Sequence, residues 1–240
     1  MTHEKSIKNY IFCALDFKDI KITKHLLNKI ADQIGGIKIG LEFFLANGKK
    51  GVRELQKFKL PIFLDLKLHD IPNTVKRSVE SIIDLRPEYL SVHISGGENM
   101  LKIIERNNYT KIIGITLLTS LDEKDLVKQG IYNQAKEQVI QLVKIAKKAR
   151  LDGVVSSPSE IPLIRKISSE NFIIISPGIR LKRDSNDDQK RVMSPGNAIL
   201  NGATKIVIGR SITNSKNPLE AIKKIQDDIL KKLSVKNAKN

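Results

Sequence analysis

An apolar run, Leu60-Pro-Ile-Phe-Leu64, leads directly into Asp65-Leu-Lys67-Leu-His69-Asp70-Ile-Pro-Asn-Thr74. Charge arriving at the end of a buried strand points to chemistry. Side chains alternate along a strand, so Phe63, Asp65 and Lys67 share one face while Leu64, Leu66 and Leu68 share the other. The apolar face needs a covering layer. Asp65 and Lys67 then point together into an interior, where unpaired charge is costly and opposite charges steady each other. Asp70 follows just past the strand end. Two carboxylates flanking an ammonium keep it protonated and repel any further anion that a ligand carries in. A structural ion pair at a strand end is the plainer reading of the same residues, and the surrounding elements have to decide between the two.

Apolar runs of strand length recur at Tyr10–Asp16, Gly36–Gly40, Ile62–Lys67, Tyr89–His93, Lys111–Thr116, Gly153–Ser156, Phe172–Ser176 and Lys205–Gly209. Helical stretches fall between them at Ile20–Ile34, Leu41–Phe58, Asn73–Leu85, Asn99–Asn107, Gln134–Arg150, Glu160–Ile167, Pro195–Asn201 and Pro218–Leu233. The alternation argues for βαβ units around a parallel sheet. Its count predicts a single-domain α/β (β/α)8 TIM barrel spanning residues 1–240, with 234–240 as a flexible tail. An open doubly wound sheet is the alternative, but the fingerprint G-x-G-x-x-G is missing after the first strand.

Parallel barrels carry catalytic groups at the C-terminal ends of their strands. Here those ends hold Asp16, Lys38 with its neighbour Gly40, Asp65 with Lys67, His93, Thr116 and Arg210. So many polar residues finishing buried strands favour a reactive rim over an isolated ion pair. The last two strands lead into Ser176-Pro-Gly178-Ile-Arg180 and Gly209-Arg210-Ser-Ile-Thr213, where barrels often bind phosphate. Gly178 and Gly209 allow close approach of backbone N–H groups, and Arg180 and Arg210 can fork onto phosphate oxygens. From Leu181 to Met193 the chain turns polar without a helical or strand period, which predicts a lid beside the phosphate end, with Gln189 able to bridge ligand groups.

The 240 residues carry 42 Lys plus Arg against 26 Asp plus Glu, a formal net charge of +16. A polyanionic partner is one explanation, but the basic residues do not gather into a stripe, and aromatics for base stacking are only 5% with no Trp. Nucleic acid is therefore not expected as a partner. No apolar run approaches the roughly 18 residues that span a bilayer, and no signal segment opens the chain, so a cytoplasmic protein without membrane contact is expected. Cys13, the single cysteine, rules out an intramolecular disulfide and reads as a buried small residue. His69 and His93 with Asp65 could ligate a metal, but Lys67 would sit among the ligands and repel the cation, so no metal is expected.

The segments Ala14-Leu-Asp16, Lys38-Ile-Gly40, Asp65 to Thr74, Val92-His-Ile-Ser-Gly-Gly97, Leu118-Thr-Ser120, Ser176-Pro-Gly-Ile-Arg180, Asp188-Gln189 and Ile208-Gly-Arg210 together resemble the orotidine 5′-phosphate decarboxylase family. The decapeptide from Asp65 to Thr74 carries most of that specificity. The resemblance implies the last step of UMP synthesis, conversion of orotidine 5′-monophosphate to UMP and CO2. It implies a homodimeric barrel that uses neither metal nor organic cofactor and shares its active sites between subunits. By this similarity Lys38, Asp65, Lys67 and Asp70 form the alternating charged network, with Lys67 as proton donor to pyrimidine C6, and with Asp70 and Thr74 reaching into the neighbouring subunit's site. Asp16 and Lys38 would bind ribose hydroxyls, and Thr119 and Ser120 would face the pyrimidine. Gln189, Arg210 and the Gly209 amide would hold the phosphate, supported by Arg180. Ser211 replaces a proline common in bacterial members, and Ile94 a smaller residue. The nearest rival is a magnesium-dependent sugar-phosphate decarboxylase or aldolase built on a similar strand; Lys38 argues against it, since a lysine there would repel the ion.

Overall fold

Strand and helix alternate along the chain as the apolar runs require. In the computed structural model, which describes residues 7–180 and 193–237, eight strands pair in parallel with their neighbours in sequence. They are β1 (Ile11–Ala14), β2 (Gly36–Gly40), β3 (Ile62–Leu68), β4 (Tyr89–His93), β5 (Lys111–Ile115), β6 (Gly153–Val155), β7 (Ile173–Ser176) and β8 (Lys205–Ile208), and β8 pairs with β1 to close the barrel. Every expected strand is present. Several stop short of their expected last residue, Asp16, Thr116, Ser156 and Gly209 among them, because there the chain leaves the barrel wall for the rim.

The outer helices are α1 (Ile20–Ile30), α2 (Leu41–Gln56), α3 (Pro72–Ile82), α4 (Glu98–Lys102), α5 (Glu123–Lys128), α6 (Ala135–Lys148), α7 (Ile161–Ile167), α8 (Pro195–Leu200), α9 (Arg210–Thr213) and α10 (Pro218–Asn237). Local chemistry sets their starts: the Asp19 carboxylate accepts the Lys21 amide ahead of α1, and Pro72 opens α3 where a missing N–H costs nothing. α4 ends at Lys102 rather than Asn107, since the Asn107 side chain accepts the amides of Tyr109 and Thr110 and draws the chain into a turn instead. α5 and α9 were not among the expected helices. α5 is announced only by a reciprocal cap between Asp122 and Asp125 and is six residues long. α10 runs on to Asn237, past the expected end at Leu233.

Two apolar layers hold the barrel. The larger lies between the outward strand faces and the helices, where Leu64 and Leu90 meet helix residues such as Val75, Val79, Leu142 and Val143. The smaller fills the barrel interior with Phe12, Ala14, Phe63, Tyr89, Ile113, Ile173, Ile175 and Val207. Tyr89 packs edge-on against Phe12 and Phe63, with ring centroids 5.8 and 6.1 Å apart. This plug closes the lower barrel. Polar side chains further along the same strands are thereby raised to the C-terminal rim, where the strands open toward solvent.

Candidate active site

The rim residues meet in one chain of alternating charge. β1 delivers Asp16, β2 delivers Lys38, and β3 delivers Asp65 and Lys67. Lys38 Nζ lies 3.0 Å from Asp16 Oδ1 and 3.7 Å from Asp65 Oδ2, and Lys67 Nζ lies 2.6 Å from the same Asp65 oxygen. One carboxylate oxygen thus serves two ammonium groups. The other oxygen, Asp65 Oδ1, accepts the Ser91 hydroxyl at 2.8 Å. Asp65 is buried, and burial pushes its carboxyl up. The Lys38 and Lys67 charges, with hydrogen bonds from Lys67 and Ser91, outweigh that penalty and hold it below the ordinary carboxylate value. Gly40 makes the junction possible, because a Cβ there would lie 2.7 Å from Asp16 Oδ1 and 2.8 Å from Lys38 Nζ.

β3 is not a regular strand. It pairs Leu64 with Leu90 and then Leu68 with Val92, so Asp65, Leu66 and Lys67 bulge opposite the single residue Ser91. Lys67 takes a left-handed backbone, φ 51°, which costs a residue with a Cβ about 1–2 kcal/mol. Its amide donates to Ser91 Oγ at 2.9 Å, so the strained residue is tied to β4 by a side chain. The expected facing survives the bulge: Phe63, Asp65 and Lys67 all line the same cavity, and Leu66 turns into the outer core.

That cavity measures about 290 Å³. The charged chain forms one wall. Past the ends of β7 and β8 the lining continues with Pro177, Gly178, Arg180, Gly209, Arg210 and Ser211, while Ile115, Leu117, Thr119 and Val155 come from β5, the loop after it and β6. An anionic group at the arginine end and a planar group over the apolar strip fit this layout.

Among the expected site residues, Asp16, Lys38, Asp65, Lys67, Thr119, Arg180, Gly209 and Arg210 come together around the cavity. Asp70, Thr74 and Ser120 do not; all three are exposed and outside its lining. The residue-level picture of two carboxylates around Lys67 is therefore corrected within one chain to a single one, Asp65. The turn into α3 explains it: Asp70 Oδ1 accepts the next amide, that of Ile71, at 2.7 Å, and Pro72 directs the chain away. Gln189 and the segment read as a lid lie outside the described residues, although its flanks are tied together beside the cavity by hydrogen bonds between Arg180 and Met193 and between Met193 and Gly178.

The His93 and His69 rings lie side by side, with centroids 5.3 Å apart and planes tilted by 34°. Burial, then the His69 and Lys67 charges, push His93 below the usual histidine range despite Asp65 nearby. Ser91 was missed from the sequence. Its signal was available, since it stands two residues before His93 on β4 and is a hydroxyl in a buried strand.

Comparison with known proteins agrees with this geometry. Residues 9–225 match the family described as Orotidine 5'-phosphate decarboxylase / HUMPS family. A protein named orotidine 5'-phosphate decarboxylase from Wolbachia pipientis subsp. Culex pipiens (strain wPip) is 51% identical over 213 residues, covering 88% of this chain and 94% of that one. One of the same name from Fusobacterium nucleatum subsp. nucleatum is 44% identical, covering 92% and 96%. The crystal structure of orotidine 5'-phosphate decarboxylase from Lactobacillus acidophilus superposes with a TM-score of 0.75 at 30% identity, covering 91% of this chain and 98% of that one. By family match, by identity over most of its length and by its barrel, the chain belongs to the orotidine 5'-phosphate decarboxylase / HUMPS family.

Proposed function

We propose that this protein decarboxylates orotidine 5′-monophosphate to UMP and CO2, as an enzyme of pyrimidine biosynthesis acting without metal or organic cofactor. The observation that carries the reading is the shared Asp65 oxygen, held between Lys67 at 2.6 Å and Lys38 at 3.7 Å, in the same cavity as Arg180 and Arg210. The substrate carries a phosphate at one end and a carboxylate on its pyrimidine. Arg180, Arg210 and the Gly209 amide would grip the phosphate, joined by Gln189; Asp16 and Lys38 would bind the ribose hydroxyls; Thr119 and Ser120 would face the base. Its carboxylate is then forced toward Asp65.

At 4 Å and an effective dielectric of 20, two like charges repel by about 4 kcal/mol. Phosphate and ribose contacts, remote from the reacting bond, offset that stress. As the bond from C6 to the carboxyl carbon breaks, its electron pair stays on C6 and neutral CO2 departs. The Lys67 ammonium stabilises the developing carbanion and transfers its proton to C6; solvent then reprotonates the amine. Repulsion of the substrate carboxylate is relieved in the same step, so the charge arrangement favours the transition state over the bound reactant.

Within this reading the enzyme is a cytoplasmic homodimer, and the partner subunit's Asp70 and Thr74 complete each site. The exposed, outward position of these residues in their own chain supports that assignment. No helix among the described residues is long and apolar enough to cross a membrane. The magnesium-dependent alternative meets an obstacle at Lys38, whose ammonium occupies the space between Asp16 and Asp65 where a cation would bind. A spectrophotometric assay of orotidine 5′-monophosphate consumption with a chelator present tests the proposal. UMP formation that is unchanged by the chelator is the expected result, and dependence on added magnesium would overturn it.

A further inference from the structure

Ser91 is fully buried on β4 and is absent from the cavity lining, yet both of its hydrogen bonds reach the charged chain. Their directions are fixed. The Lys67 amide can only donate, so Ser91 Oγ accepts it, and the hydroxyl proton is left for Asp65 Oδ1, an ionised carboxylate that can only accept. The bulge makes the arrangement necessary: three residues of β3 stand opposite Ser91, so the Lys67 amide is satisfied by the serine oxygen. With Oδ1 occupied, Asp65 presents Oδ2 to both lysines.

We propose that Ser91 is a positioning residue that clamps the Asp65 carboxylate and the left-handed backbone of Lys67 in one fixed relation. The consequence for turnover rests on the decarboxylase reading above; the clamp itself does not. Because Ser91 touches neither the arginine end nor the cavity surface, its loss should act on the reacting wall and leave ligand grip intact. Removing a hydrogen bond to a charged group, with a buried amide left unsatisfied, predicts a fall in kcat of about 10- to 100-fold for Ser91→Ala.

The test compares wild type, Ser91→Ala and Ser91→Thr by turnover of orotidine 5′-monophosphate, by UMP binding and by hydrogen exchange at the Lys67 amide. Ser91→Ala is expected to lose kcat, to bind UMP within about threefold of wild type and to exchange the Lys67 amide at least about tenfold faster, since that amide loses its acceptor, Ser91 Oγ at 2.9 Å. Ser91→Thr, which keeps the hydroxyl, is expected to recover most of kcat. Unchanged kcat and exchange in Ser91→Ala overturn the proposal, and so does a loss of UMP affinity equal to the loss of kcat, which marks a general structural role. If wild type fails to consume the substrate, the decarboxylase reading falls, while Lys67 exchange still decides the clamp. If neither variant folds, wild type decides it alone: a Lys67 amide exchanging at open-loop rates contradicts the clamp.

Discussion

Asp65 is the residue on which the local electrostatics turn. It is ionised because the lysine charges and two hydrogen bonds defeat its burial, and Lys38 is the largest of those favourable influences. Removing that charge shifts the balance back toward the neutral acid. In Lys38→Met the Asp65 carboxyl, followed by its 13C shift through a titration, is expected to titrate at higher pH than in wild type, where it should titrate below the ordinary value of 3.8. A wild-type midpoint at or above that value contradicts the assignment. The linkage has a definite sign. A depressed folded pKa adds stability above the unfolded value, about pH 4, and this contribution disappears as pH falls through the lower folded value. Asp65→Asn should therefore flatten part of the stability decline in that acid window. Cys13, just below the network, is pushed up to about 12, first by burial and then by Asp16, and takes no part as a thiolate.

At the scale of elements, β2 and β3 do most of the positioning. Gly40 ends β2 beside Asp65 and opens α2, leaving the space in which Asp16 and Lys38 meet. Gly40→Ala would put a methyl into that junction, displacing side-chain ends but no backbone. Activity should fall by about 10- to 100-fold, the scale of a misplacement near 1 Å, with the melting temperature within about 4 °C of wild type. Full activity would show that the junction tolerates displacement. Much of this was legible beforehand. Period-two alternation placed Phe63, Asp65 and Lys67 on one face, and the recurrence of apolar runs disclosed the barrel. The bulge was not legible, because it depends on how β3 registers against β4, and so neither the left-handed Lys67 nor the Ser91 contact could be read from spacing. Asp70 was misplaced within the chain for a similar reason: proximity in sequence says nothing about a turn that its own carboxylate helps to make.

For the whole molecule, the formal charges of Asp16, Lys38, Asp65 and Lys67 sum to zero, whereas Arg180 and Arg210 bring two guanidinium groups to the same cavity. Guanidinium groups gathered at one part of the lining favour an anion there before any reacting contact forms. A site that leaves Asp70 and Thr74 outside it in one chain leads, on the proposed dimer, to a test by complementation. Lys67→Ala and Asp70→Asn proteins, each impaired alone, should regain up to about a quarter of wild-type activity when equal amounts exchange subunits, since about half of the dimers are then hybrids with one native site. Verified exchange without recovery would mean that each chain builds its site unaided.

The central claim is that the Lys67 ammonium, held by Asp65, protonates the carbon that loses its carboxyl group. The most direct measurement is the rate of UMP formation from orotidine 5′-monophosphate by Lys67→Ala, made alongside UMP binding to the same protein. The prediction is a loss of at least about 100-fold in kcat with the product still bound and the barrel folded; wild-type turnover in that variant would contradict it.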